Sequence, residues 1–569
     1  MVDTNPHKTG LRRHLSLRRV VRGFYCVSIL MSALLLITVF QLYIGIYEVQ
    51  GVNRHKHRNW LRSVLADNFA SVQHHYTIKA AKNNKEPNAQ LLQATSANFS
   101  SFRIINKKHR YQLCDNLEIL IEARDSLNQI KTRGGDFIFA WLEDEERAAS
   151  VAADVITDHQ NGNYTARFTL PWSGASKVSV LLIHASETIS TLKRVRELYP
   201  ARFTYKGVYR HGTKEVITPC HFSTDMYLLP NETGHTNNFC DYTDSKTKFP
   251  WFCLKPKDFS CDDLHLHGAD LERANRHFKL LKSENERRIY KRKPGYIKSF
   301  TSAQIYVDSS NPEDISRCTS LGSMSCSVTT PPKLPNMAAG FYYRNLWYSA
   351  TCKNHNKLRK PRIRSCLSNR NMYFLGDSTL RQWMIYLTDN ILNNTIKKST
   401  GNKYIGPHFG VDKKHNITLL YRFHGLPVRV PMLVNMTDLQ YIPNIIDNMR
   451  GGPNVVVVLS LWAHFTSSTI DFYRHRWQAI KLSLLKFVTR YPRTKIFVKS
   501  ANTREPKFDL SNWYAWELDQ VMRQELSSLN FVTIIDTWDM TIGHHTGYNV
   551  HPANGVVSQE ISMWLSFLC

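Results

Sequence analysis

The sequence predicts two unlike folded parts in series behind an N-terminal signal anchor. The first is a β-sandwich of immunoglobulin-like kind over residues 101–255; the second is an α/β domain with a parallel sheet over residues 341–569. Three observations carry this. Residues 24–47, FYCVSILMSALLLITVFQLYIGIY, contain no charge. Residues 136–187 alternate apolar and polar side chains between turn signals. After residue 370 the pattern becomes continuous apolar runs separated by stretches of helical period, as in parallel strands buried on both faces.

Residues 1–23 hold Lys8, Arg12, Arg13, Arg18, Arg19 and Arg22 against Asp3 alone. The uncharged span that follows, at ~1.5 Å per residue, is long enough for a ~30 Å hydrocarbon core. It is longer than the apolar stretch of a cleaved signal peptide, and no small-residue cleavage site follows it. The basic flank puts 1–23 in the cytosol, because Arg54, Lys56 and Arg58 on the other side are fewer and farther away. The expected topology is a single-pass type II membrane protein of the secretory pathway, with the Golgi as its station and a secreted form as the alternative. Residues 48–100, polar and basic, read as a stem.

Cysteine usage agrees. Cys26 lies in the span; the other ten, an even number, suit disulfides in an oxidising compartment. Six sequons, at Asn98, Asn163, Asn231, Asn393, Asn416 and Asn435, face the same compartment. The net charge is +28; the tail accounts for five of it, leaving +23 on the lumenal side. A lumenal location removes nucleic acid from the candidate partners, so the basic surface points to an acidic glycan or glycoprotein.

Within the predicted sandwich, Asn161-Gly162 is a hairpin signal. Tyr164, Ala166, Phe168 and Leu170 then alternate inward, and Val178, Val180 and Leu182 form the next strand. Residues 256–340 carry charge runs and a Ser/Pro/Cys-rich loop, and read as a connector tied by Cys318 and Cys326. In the α/β domain, strands are expected at 372–375, 455–460, 495–499 and 531–535. Helices are expected at 469–490, 511–528 and 554–568. Cys569 is expected to tie the last helix back to Cys352 or Cys366.

The chemistry centres on residues 371–383, NMYFLGDSTLRQW. An apolar strand stops on Gly376-Asp377-Ser378 and a helical pattern of Leu380, Trp383, Met384, Leu387 and Ile391 begins at once. Ser378 therefore sits at the carboxyl edge of the sheet and at a helix N-terminus, where N–H groups face a developing oxyanion. Such a residue is either a helix cap or a nucleophile. A nucleophile needs a base, and His551, between the last strand and the last helix, can return to the same edge. His544 and His545 with His551 have no acidic or cysteine partner at ligand spacing, so no metal site is predicted.

Gly-Asp-Ser after the first strand with His-Pro before the last helix resembles the SGNH hydrolases, and among them the PC-esterase branch, whose domain is a three-layer α/β fold. The segments DHQNGNYTARFTLPWSG, HASE and PWFCLKPKDFSC resemble neurexophilin. With GFYYRNLWYSATC, YFLGDSTLRQW and NVHP they identify residues 100–569 as similar to the neurexophilin and PC-esterase domain family. The resemblance implies Ser378 as nucleophile and His551 as general base. SGNH enzymes carry Asp three residues before that His; here the position is Tyr548, so Asp536 and Asp539, and more weakly Asp377, are the candidate orienters. For the oxyanion hole the resemblance implies a Gly and an Asn beside the serine N–H. Gly425 suits the first, and His464 or Asn502 the second. The implied activity is O-acyl transfer or ester hydrolysis on a lumenal carbohydrate such as sialic acid, with acetyl-CoA as donor substrate and no bound cofactor. The alternative is a non-catalytic binding glycoprotein that engages a cell-surface receptor.

Overall fold

A computed structural model of the chain describes residues 92–569 except 200–202, 225–237, 271–280, 282, 309–317, 319–323, 356–358, 393–395, 431, 506–509 and 546–547. The expected cytosolic tail and anchor, and the stem up to residue 91, lie outside the described residues. Among those described, no helix is long and apolar enough to cross a membrane.

The α/β part is a seven-stranded sheet. Five strands run parallel in the order Ile417–Phe423, Asn371–Gly376, Val455–Ser460, Lys495–Lys499, Val532–Ile535. An antiparallel pair, Ile396–Asn402 and Gly406–Asp412, extends the first edge. The strands read as apolar runs because both faces are covered. Val456 and Val458 join a core with the helices Ser378–Tyr386 and Asn554–Leu568; Val455, Val457 and Leu459 join the core under Ile470–Arg490 and Asn512–Leu526. Thr469 and Ser511 cap these last two helices, each side chain accepting backbone N–H bonds. Asn371–Gly376 is the first parallel strand in sequence and lies second among the five parallel strands of the sheet. It is thus the switch point of a doubly wound order, and the crevice at such a point lies outside the carboxyl ends of the strands.

The β-sandwich shares one continuous twelve-stranded sheet that folds over its own core. The hairpin read from Asn161-Gly162 joins Val155–Asp158 to Asn163–Thr169. Strand Phe137–Asp144 is buried on both sides. Ile138, Ala140 and Leu142 face the sandwich core, and Phe139 and Trp141 face the core shared with the α/β part.

Three expectations are corrected. Residues 256–340 are not a mere connector: Gly295–Ser299 and Gln304–Asp308 are strands of the sandwich, because their alternating side chains complete its core. The hairpin Gly340–Tyr343 and Leu346–Ser349, expected in the α/β domain, pairs with Ala149–Ala152 at the sandwich edge. Strands Tyr205–His211, Lys214–His221, Phe239–Asp241 and Phe252–Leu254, expected in the sandwich, lie outside it; they form a six-stranded sheet with Leu264–Ala269 and with Val434–Asn435 from the α/β part.

All ten cysteines outside residues 1–91 are paired. Cys220–Cys253 and Cys240–Cys261 staple the six-stranded sheet. Cys318 pairs with Cys114 and Cys326 with Cys352, not with each other, and Cys366 holds Cys569 after the last helix.

Candidate active site

Three local choices build the turn after Asn371–Gly376. A β-carbon on Gly376 would lie 2.0 Å from the Ser460 carbonyl oxygen, so only glycine lets the strand leave the sheet this close to its neighbour. Asp377 is fully buried and caps the next helix. Its Oδ1 accepts from the Thr379 N–H at 3.0 Å and from the Thr379 hydroxyl at 2.7 Å. Its Oδ2 accepts from the N–H groups of Trp462 and Ala463 at 3.1 and 3.0 Å. With the cap supplied by Asp377, the half-exposed Ser378 hydroxyl faces His551 instead, at 2.8 Å from Nε2.

His551 is held in an Asx-type turn, its N–H donating to Asn549 Oδ1 at 3.0 Å. Part of the ring is open to solvent. Packing around the rest holds its pKa below the usual histidine value; the Asp377 and Glu505 carboxylates oppose this, and the Arg381 and Arg504 cations add to it. The neutral ring that results can accept the Ser378 proton on Nε2, which puts its own hydrogen on Nδ1. Nδ1 has no hydrogen-bond partner among the described residues.

His464 is also buried and neutral. Burial lowers its pKa to about 3, with Asp377 opposing and Arg429, Arg504 and His551 adding to the fall. Its Nδ1 accepts the Arg429 N–H at 2.9 Å, so Nε2 carries the proton and is a donor. Gly425 follows strand Ile417–Phe423 at the same sheet edge with φ +82, and a β-carbon there would meet the Tyr441 ring at 2.7 Å.

Residues 80–277 match the Neurexophilin family, and residues 347–569 match the family described as NXPE family member 4-like, C-terminal domain. The chain belongs to the NXPE family. Two solved structures share weaker likeness. A Lin-41 filamin domain is 14% identical over 16% of this chain and 82% of its own, with a TM-score of 0.13. An active-site mutant of a family two carbohydrate esterase from Clostridium thermocellum is 16% identical over 35% of this chain and 62% of its own, with a TM-score of 0.20. Likeness this slight carries no conclusion about fold or function. The neurexophilin match and the disulfides put the folded region of this NXPE chain in the secretory pathway or outside the cell.

In this NXPE chain the two predicted orienters are spent elsewhere. Asp536 Oδ2 lies 2.8 Å from the Arg523 guanidinium and its Oδ1 accepts the Trp538 N–H. Asp539 Oδ2 accepts from Lys333 Nζ at 2.7 Å and from the Ala339 N–H at 2.8 Å. Asp539 serves the joint with the preceding segment, Asp536 ties strand to helix within the α/β part, and neither is bonded to His551. Tyr548, at the usual aspartate position, packs its ring 5.9 Å from Phe139 of the sandwich. Asn502 is not a free oxyanion donor. Its Nδ2 donates to the carbonyls of Thr503 and Val550 and its Oδ1 accepts from Lys499 Nζ. Asp377 is a cap, not an orienter. His544 packs on Tyr342, while His545 pairs with Glu143 at 3.0 Å and stacks on Trp141.

Sequence reasoning missed Arg381, Arg504 and Glu505, whose charges bear on His551. Arg381 lies three residues after Ser378 on the same helix. Arg504 and Glu505 follow strand Lys495–Lys499 at the edge where a site was expected, and those positions were the available signal. Of the sequons, Asn98, Asn416 and Asn435 are exposed and Asn163 is half-buried within a strand; Asn231 and Asn393 lie outside the described residues.

Proposed function

We propose that this NXPE chain transfers an acyl group through Ser378, to or from a hydroxyl of an acidic lumenal glycan. The observation that carries the reading is the 2.8 Å Ser378 Oγ–His551 Nε2 contact at the carboxyl edge of the sheet. Ser378 Oγ attacks the acyl carbonyl as His551 Nε2 takes its proton. The oxyanion is met by the Ser378 N–H at the helix N-terminus and by the Nε2–H of His464. Collapse of the tetrahedral intermediate releases the donor's thiol or alcohol, which recovers the proton from His551, and leaves an acyl-serine. A sugar hydroxyl or water, deprotonated by His551, then attacks the acyl-serine and frees Ser378. Acetyl-CoA fits the donor role and an acid such as sialic acid fits the acceptor role, because the lumenal charge of +23 favours anions. The single apolar span and the basic tail support a type II anchor and a Golgi station for this chemistry.

A second reading, a binding glycoprotein with a relic site, is favoured by the His551 Nδ1, which no carboxylate of the described residues reaches. Losing that partner cost ~10⁴ in kcat in a serine protease. The two readings part in one experiment. Expression of the wild-type chain in cells should change glycan O-acetylation measured by mass spectrometry. Ser378→Ala and His551→Ala should each abolish the change, and the double variant should lose no more, since the two side chains act as one unit. Unchanged acetylation in both single variants establishes the binding reading.

A further inference from the structure

Among the described residues no carboxylate is bonded to His551, yet the carbonyls of the residues on either side of it are held by side-chain amides. Gln382 Nε2 donates to the Pro552 carbonyl at 2.7 Å, and Asn502 Nδ2 donates to the Val550 carbonyl at 3.3 Å. Gln382 lies four residues after Ser378, one turn along the same helix and on the same face. Asn502 traces back to that helix too. Its Oδ1 accepts from Lys499 Nζ at 3.0 Å. Lys499 lies 3.8 Å from Glu560, and Glu560 accepts the Trp383 indole N–H at 2.6 Å. Trp383 is the residue after Gln382. The chain of contacts thus leaves the helix at Gln382 and at Trp383 and closes on the two carbonyls that flank His551.

The geometry points to Gln382 and Asn502 as positioning residues that do the placing an orienting carboxylate would do: the helix that presents Ser378 also grips the segment that presents His551, at the residue before it and at the residue after it. This rests on the acyl-serine reading. A carboxylate on Nδ1 fixes the ring and stabilises its charged form. Two anchored carbonyls fix only the ring's place, holding Nε2 against Ser378 Oγ. Their loss should therefore lower the rate of attack without moving the pH at which His551 loses its proton.

The test uses a fluorophosphonate probe, which reacts with an activated serine oxygen and releases fluoride, on the full chain in detergent, from pH 5 to 8 (a range chosen to bracket the histidine titration). Wild type should label, and Ser378→Ala should not. Gln382→Met keeps the length and helix propensity but removes the donor. It should lower the labelling rate about 100-fold, the scale of an ångström-sized misplacement, with the midpoint pH unchanged. Gln382→Glu, equal in shape, turns a carboxylate toward the Pro552 carbonyl and should lose as much. Gln382→Lys restores an N–H donor and should return most of the rate. Labelling of Gln382→Met or Gln382→Glu within threefold of wild type overturns this inference alone, as does an equal loss in all three variants. A wild-type chain that does not label overturns the acyl-serine reading and this inference with it.

Discussion

Asp377→Asn separates the cap from the nucleophile. In the native turn the carboxylate accepts four hydrogen bonds, from the Thr379 N–H and hydroxyl and from the N–H groups of Trp462 and Ala463. An amide has one acceptor oxygen and one NH₂. The better orientation keeps the oxygen on Trp462 and Ala463 and turns the NH₂ to Thr379, whose hydroxyl rotates to accept while its N–H is left without a partner. One charge-assisted bond, worth ~1.5–3 kcal/mol, is lost, and the others fall to the ~0.5–1.5 kcal/mol of neutral bonds. The total is roughly 4–7 kcal/mol against a whole-domain stability of ~5–15 kcal/mol. At ~2–4 °C per kcal/mol for a domain of this size, the melting point should fall by roughly 8–28 °C at a fixed scan rate. Ser378→Ala should leave it within ~2–4 °C, because the Ser378 hydroxyl is bonded to His551 and caps nothing. If Ser378→Ala melts lower than Asp377→Asn, the assignment of the cap is wrong and the serine is structural.

The labelling rate of wild type should fall on acidification with a midpoint below 6.5, since packing keeps His551 neutral to lower pH; a midpoint above 7 contradicts its surroundings. Burial depresses His184 to about 4 and His267 to about 3, and the latter accepts the Trp251 indole N–H at 3.1 Å. The folded-state pKa values lie below the unfolded one, so stability is full above about 6.5 and is lost as pH falls toward 4 and 3. At pH 4.5 each should cost roughly 2–3 kcal/mol, seen as a lower melting point than at pH 7. Cys569→Ser removes the bridge to Cys366 and should cost ~2–5 kcal/mol, read as retention of the chain before export; normal export with Cys366 alkylatable would refute it.

What the sequence disclosed was local. Val455–Ser460 and Lys495–Lys499 read as buried strands because parallel strands covered on both faces show unbroken apolar runs. The caps Thr469 and Ser511 bounded their helices, and Ser378 and His551 could be paired because sheet order sends both to one edge. What stayed hidden depended on partners far along the chain. Asp539 is taken by Lys333, 206 residues away, and Tyr548 by Phe139, so no spacing rule could tell an orienting carboxylate from an interdomain tie. Asn502 looked like an oxyanion donor because its type and place suited one; its hydrogen bonds are spent on Thr503, Val550 and Lys499. The alternation in Gly295–Ser299 and Gln304–Asp308 was present but too short to stand out among charge runs.

Strand Gly295–Ser299 has a bearing on how the protein is made. It lies between Gly174–His184 and Ser101–Ile104 and is the seam that joins two halves of the sheet. The neurexophilin match ends at residue 277, before this strand begins. A growing chain that has emerged only that far carries two open strand edges with their N–H and C=O groups unclaimed, an invitation to pair with another nascent chain. Lumenal chaperones would have to shield those edges while the next few tens of residues are synthesised. A fragment cut at the end of the match should aggregate more readily than the whole chain.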